Sequence, residues 1–79
     1  MRVTLYTKAD CGLCEEAEDV LRKARKLIRF DLDLVYIEDD PAFLDRYQDR
    51  VPVVAVNGEE VASAPLDEAR LLAAISASA

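Results

Sequence analysis

Val3-Thr4-Leu5-Tyr6-Thr7-Lys8-Ala9-Asp10-Cys11-Gly12-Leu13-Cys14 is the stretch on which the fold turns. Its first five residues are β-branched, aromatic or apolar, which reads as a strand. Lys8 to Asp10 form a short loop. A helix is expected from about Gly12 to Ile28. Leu13, Ala17, Val20, Leu21, Ala24, Leu27 and Ile28 recur there at the three-four spacing of one buried stripe. Acidic residues fill its first turns and basic ones its last, in the sense that suits a helix dipole. Two cysteines therefore sit where a strand hands over to a helix.

The pattern continues outward from that unit. Leu32 to Ile37 reads as a second strand, apolar almost without break after Asp33 and so expected to be covered on both faces. Asp40 is a good N-cap and Pro41 a good first helical residue. A short helix should follow to about Tyr47, with Phe43, Leu44 and Tyr47 on one face. Val53 to Val56 is a third strand, and Asn57-Gly58 signals a two-residue hairpin into a fourth near Glu60 to Ala62. Pro65 is expected to open a last helix, with Leu66, Ala69, Leu72, Ala73 and Ile75 as its apolar positions and fraying from Ser76 to Ala79. The order is β-α-β-α-β-β-α in one α/β domain over residues 1–79. It predicts a parallel unit with a right-handed crossover, then an antiparallel hairpin. The result is a mixed four-stranded sheet with helices on both faces.

Composition narrows the function. The 79 residues carry 16 acidic and 10 basic side chains, a formal net charge of −6. Nucleic acid would be repelled by most of such a surface. Arg22, Lys23, Arg25, Lys26 and Arg29 cluster, but Glu18 and Asp19 lie four residues before Arg22 and Lys23 and can pair with them, which is the pattern of a solvated helix face. No stretch reads as a signal peptide or a membrane span, so the expected location is the cytoplasm. Thiols are kept reduced there and structural disulfides are rare.

The two cysteines are the only ones, three positions apart. A bridge closing so short a loop removes little entropy from the unfolded chain, so the pair is expected to do chemistry and not to clamp the fold. The attacking species in disulfide exchange is the thiolate. A helix N-terminus favours it through unpaired N–H groups and the positive dipole end. Cys11 lies at that end, and Cys14, one turn inside, reaches back to it. Cys11 is thus the candidate nucleophile and Cys14 the candidate resolving thiol. Gly12 leaves the approach open. Lys8 would stabilise a thiolate; Asp10, Glu15 and Glu16 would oppose it. Structural zinc takes four ligands; with two cysteines and no histidine, no metal site is expected within one chain.

A second marker is Arg50-Val51-Pro52-Val53, a proline at the start of a strand, where proline is allowed and where its peptide bond, ordinarily trans, can also be cis. Together, Leu5 to Cys14 and Val51-Pro52-Val53 resemble the glutaredoxin family of thioredoxin-like fold, and more closely the small glutaredoxin-like proteins of bacteria. The element order matches over essentially the whole chain. The resemblance implies Cys11 as nucleophile, Cys14 as resolving thiol and Pro52 as a cis-proline facing them. It implies that Val51's backbone pairs with an extended substrate in β-strand fashion, and that Lys8 holds a carboxylate of glutathione. Two departures stand out. Leu13 replaces the aromatic usual in the redox motif. Val61-Ala62-Ser63-Ala64-Pro65-Leu66-Asp67-Glu68 lacks the glycine pair that precedes the γ-glutamyl site, although Ser63 and Asp67 still lie near a helix N-terminus.

The expected function is therefore a thiol–disulfide oxidoreductase, a monomer with no tightly bound cofactor, acting on protein or small-molecule disulfides. Its substrate-binding candidates are Lys8, Gly12, Leu13, Val51, Pro52, Ser63 and Asp67. Glutathione is implied as a reductant, through a site that has lost part of its pattern, so a protein reductase or protein disulfide is the expected partner. The alternative is a binding protein in which two chains bridge an iron–sulfur cluster or metal through Cys11 without turnover.

Overall fold

The computed structural model describes residues 1–78. Four strands form one sheet in the order β2-β1-β3-β4, with β1 at Arg2–Thr7, β2 at Asp31–Tyr36, β3 at Val53–Val56 and β4 at Glu59–Ser63. β2 runs parallel to β1, with Val3 beside Leu32 and Leu5 beside Leu34. β3 runs antiparallel to β1, with Leu5 opposite Val54 and Tyr6 opposite Val53. β4 returns antiparallel to β3 and carries an irregularity between Val54 and Ala55. The hairpin joining them turns through Asn57 and Gly58, both at positive φ (51° and 87°). That is the backbone a two-residue turn of this hand requires.

Three helices cover this sheet: α1 at Gly12–Ala24, α2 at Pro41–Tyr47 and α3 at Glu68–Ser78. Strand alternation sorts them onto its two faces. Val3, Leu5, Val54 and Val56 point to one face, where Ala17, Leu21 and Ala24 of α1 and Leu71 and Ile75 of α3 close the main core. Tyr6 and Val53 point to the other, against Phe43 and Tyr47 of α2. The mixed sheet with helices on both faces is as expected, and so are the bounds of β3 and of α2. Asp40 accepts a hydrogen bond from Ala42 N at 2.9 Å, with Pro41 in the first turn.

Three local readings need correction. The first helix ends at Ala24, not near Ile28. Lys26 N bonds to Lys23 O and Leu27 N to Ala24 O, tightening the chain into turns, and Leu27 is left 86% exposed. β2 is an edge strand whose apolar residues are half-buried and not covered on both faces. Its chain then tightens into a 3-10 turn, Ile37–Asp39, that seats Ile37 in the core. Finally, Pro65 does not open the last helix. It sits in a bend before it, and α3 starts at Glu68 behind Asp67, whose side chain accepts from Arg70 N at 3.1 Å. The helix runs to Ser78, so Ser76 to Ser78 are helical; Ala79, also expected to fray, lies outside the described residues.

Candidate redox site

Cys11 is the N-cap of α1. Its backbone is extended (φ −115°, ψ 104°), and its Sγ accepts a hydrogen bond from Cys14 N at 3.2 Å. The two residues are joined as a disulfide, with Cα atoms 5.2 Å apart. Their environments differ. Cys14 is 1% exposed, on the inner face of α1, whereas Cys11 is half-buried and reachable. This asymmetry follows from helix geometry. Residue 14 is one turn inside the helix and shares the stripe of Ala17 and Leu21, which the core covers.

Around Cys11 the chain is open. A Cβ built on Gly12 would meet nothing within 4 Å, so the glycine fills no packing need. Leu13 stands 58% exposed beside it. The preceding loop is braced from across the sheet. Asp10 has a positive φ of 55°, and the Ala9 N–H donates to the Glu38 carboxylate at 3.0 and 3.3 Å. Glu38 belongs to the 3-10 turn after β2 and was not legible as a site residue. Its partner lies 29 positions away, and no local pattern announces such a contact. Lys8, on the same loop, is exposed.

Pro52 and Val51 approach from the other half of the chain. The Val51–Pro52 peptide bond is cis, and Ala64–Pro65 is cis as well. Both Val51 and Pro52 are buried, and Val51 packs in the cluster that holds Cys14. The Val51 N–H donates to Tyr47 O at 3.1 Å, inside the protein. Ser63 ends β4 opposite Val53. With Asp67 it borders a separate cavity of 210 Å³ that also touches Pro65 and Arg70. The structure thus sets Pro52 on one cavity with Leu13 of the redox motif and Val51 in the cluster of Cys14, and puts Ser63, at the end of β4, and Asp67, before α3, on another.

Beneath the pair lies an aromatic layer. Tyr6 packs against Tyr47 with ring centroids 4.6 Å apart and against Phe43 at 5.3 Å, both in tilted arrangements. The guanidinium groups of Arg46 and Arg50 lie 5.4 and 5.7 Å from the Tyr47 ring centre, at cation–π range. Arg50 also pairs with Glu60. Burial, and then the neighbouring Tyr47, push the Tyr6 hydroxyl above its ordinary value against the opposing pull of Arg46. The layer is a firm floor for Cys14 that sequence reading assigned only to helix packing.

A mixed four-stranded sheet between helices, with the first cysteine of a Cys-x-x-Cys pair capping the first helix, is a thioredoxin-like fold that carries its cysteine pair at disulfide distance. Residues 2–76 match the family model described as "Glutaredoxin-like domain (DUF836)", and the chain belongs to that family. It is similar to uncharacterized proteins of Mycobacterium tuberculosis and Mycobacterium bovis, at 30% identity over 98% of this chain and 84% of theirs. Among solved structures it resembles target protein XcR50 of X. campestris (38% identity, TM-score 0.79, covering 95% of this chain and 96% of that one). It also resembles protein Ne2328 of Nitrosomonas europaea (34%, TM-score 0.75, covering 91% and 87%). Thioredoxin 1 of Thermosipho africanus shares the fold at 13% identity, with a TM-score of 0.74 over 99% of this chain and 93% of that one. No helix among the described residues is long and apolar enough to cross a membrane.

Proposed function

We propose that the chain is a dithiol–disulfide oxidoreductase that reduces disulfides of proteins or small molecules. The observation that carries this reading is the bonded pair at the N-terminus of α1, with Cys11 reachable and Cys14 buried behind it. In the reduced protein the Cys11 thiolate attacks one sulfur of the substrate disulfide. A Cys11–substrate bond forms, and the other substrate sulfur leaves as a thiolate and takes a proton. The Cys14 thiolate then attacks Cys11 Sγ, forming the Cys11–Cys14 disulfide and releasing the second substrate thiol. Two electrons have passed to the substrate, and the protein is in the oxidised state described above. A thiol reductant from solution or a partner protein returns it to the dithiol.

The helix end favours the Cys11 thiolate through its dipole and through the Cys14 N–H already directed at Sγ. In this reading Gly12, Leu13 and Pro52 face the substrate, Val51 offers its carbonyl, and Lys8 lies where a substrate carboxylate passes. Ser63 and Asp67 hold little of glutathione, because one Asp67 oxygen is already bonded to Arg70 N and proline at 65 has no N–H to give. Glutathione is therefore a poor donor, and a protein reductase serves the chain in the cytoplasm.

The test is substitution at the pair. Cys11→Ser should abolish turnover of a protein disulfide, and Cys14→Ser should accumulate a covalent mixed disulfide visible by mass spectrometry. Iodoacetamide at neutral pH should label Cys11 of the reduced protein before Cys14; the reverse order would reject the assignment. Turnover driven by glutathione at the level of that driven by thioredoxin reductase would restore a working glutathione site.

A further inference from the structure

A groove of 330 Å³ opens beside the cysteine pair, between α1 and α3. Its α1 wall is Leu13, Glu16, Ala17, Asp19, Val20 and Lys23, a single face that starts next to Cys14 and runs to the far end of the helix. Ten helical rises from Leu13 to Lys23 make this wall about 15 Å long, which four or five residues of extended chain would span. Pro52, Leu66 and Leu71 supply the floor and Glu68 the opposite rim. The floor is apolar and partly open, and the rim is charged. The rim's charge is also graded. Glu16, Asp19 and Glu68 stand toward the redox end and the middle, and the lone cation, Lys23, stands at the far end.

We propose that this groove docks the substrate protein and selects an extended segment with a lysine or arginine beside its disulfide cysteine and an apolar side chain a few residues further on. The inference rests on the oxidoreductase reading and names its substrate class. Once Cys11 holds the substrate sulfur, the substrate backbone passes Leu13 and Pro52. The next side chains reach Glu16 and Glu68, and those after them settle on Val20 and Leu66, the half-buried apolar side chains of the groove. A cation there meets three carboxylates across an apolar surface. An acidic side chain meets repulsion, which the net charge of −6 extends to the approach in solution. The rim carboxylates are exposed, so their effect falls mainly on the rate of association and is screened by salt.

Two measurements separate the groove from the chemistry. In the first, short peptides carry one cysteine joined to thionitrobenzoate, with lysine or glutamate next to it, and react with the reduced protein; rates are normalised to those with dithiothreitol. The lysine peptide should react about tenfold faster at low salt, a size set by a few exposed charge pairs acting together. The ratio should fall to within about twofold at high salt and in the variant combining Glu16→Gln, Asp19→Asn and Glu68→Gln. In the second, the same peptides with serine in place of cysteine are titrated by fluorescence anisotropy, and only the lysine form should bind. Equal normalised rates, or a ratio unchanged by the triple substitution, would overturn the inference while leaving the oxidoreductase reading in place. Selective binding without exchange would support the groove and reject the redox reading. Neither binding nor exchange would reject both.

Discussion

Two helices of this protein begin in the same region of the fold, and their N-termini are used differently. At α1 the cap is a sulfur: Cys11 Sγ accepts from Cys14 N at 3.2 Å. At α3 the cap is a carboxylate: Asp67 Oδ1 accepts from Arg70 N at 3.1 Å. Both ends present a positive dipole and unpaired N–H groups. A carboxylate is a strong, inert acceptor, so the α3 end is committed to stability. A thiol is a weak acceptor, and the same field that favours its anion also favours its attack on another sulfur. On the proposed function, the fold holds one helix end for structure and leaves the other for chemistry, and the difference lies in the capping atom.

Breaking the comparison at α1 gives the largest expected effect. Serine is among the best N-caps, so Cys11→Ser keeps the capping geometry and removes the nucleophile. Turnover should disappear, while the thermal midpoint stays within a few degrees of the reduced wild-type protein. A large loss of stability together with the loss of turnover would mean that the sulfur is structural after all.

The converse change at α3 comes next. Asp67→Ala removes the cap and should cost about 1 kcal/mol, within a range of roughly 0.5–2. In a domain of this size that lowers the midpoint by about 4–8 °C per kcal/mol. Asp67→Asn should restore it to within a few tenths of a kcal/mol, since asparagine caps as well as aspartate. Neither change should alter the rate with a protein disulfide. Should Asp67→Asn raise the KM for such a substrate with stability intact, Asp67 would be a binding residue in addition to a cap.

These two sites also show what could be read before the structure. Cys11 was legible because a strand of β-branched residues, a loop and an amphipathic stripe place it at a helix end by local rules alone. Asp40 and Pro41 were legible for the same reason, and α2 begins where they say. The start of α3 misled because Pro65 satisfies one local rule and Asp67 another. The chain obeys the cap, which gives two residues at the bend to the turn out of β4. The length of α1 misled because nothing in Arg25 to Leu27 breaks a helix, and the turns there are set by where the chain must rejoin the sheet, with Asp31 N bonded to Met1 O at 2.9 Å. The exposure of β2 depends on strand order, which periodicity along one strand does not carry. The acidic groove needed two helices from opposite ends of the chain to be placed side by side.

Glu38 is the smallest and sharpest way to probe the difference between the two ends. The loop before α3 is tied by its own cap, the Asp67 carboxylate on Arg70 N–H, and by a backbone bond from Ala64 N–H to Arg50 O at 3.3 Å. The loop before α1 has a thiol for a cap, and it is braced from outside by the Glu38 carboxylate on Ala9 N–H. A bond to a carboxylate is about twice as strong as one to a neutral acceptor, but this one is exposed, which reduces its net worth to about 1 kcal/mol or less. Glu38→Gln retains an acceptor and should speed hydrogen exchange at the Ala9 amide by only a few-fold. Glu38→Ala should speed it by up to about fivefold, the factor that corresponds to about 1 kcal/mol. Exchange in the first turn of α3 should not respond to either variant. The rate of attack by Cys11 should fall with the loosening of its loop, by less than the exchange changes, because the helix end itself remains. If Ala9 exchange is the same in wild type and Glu38→Ala, the brace holds nothing, and α1 keeps its reactive end by its own first turn alone.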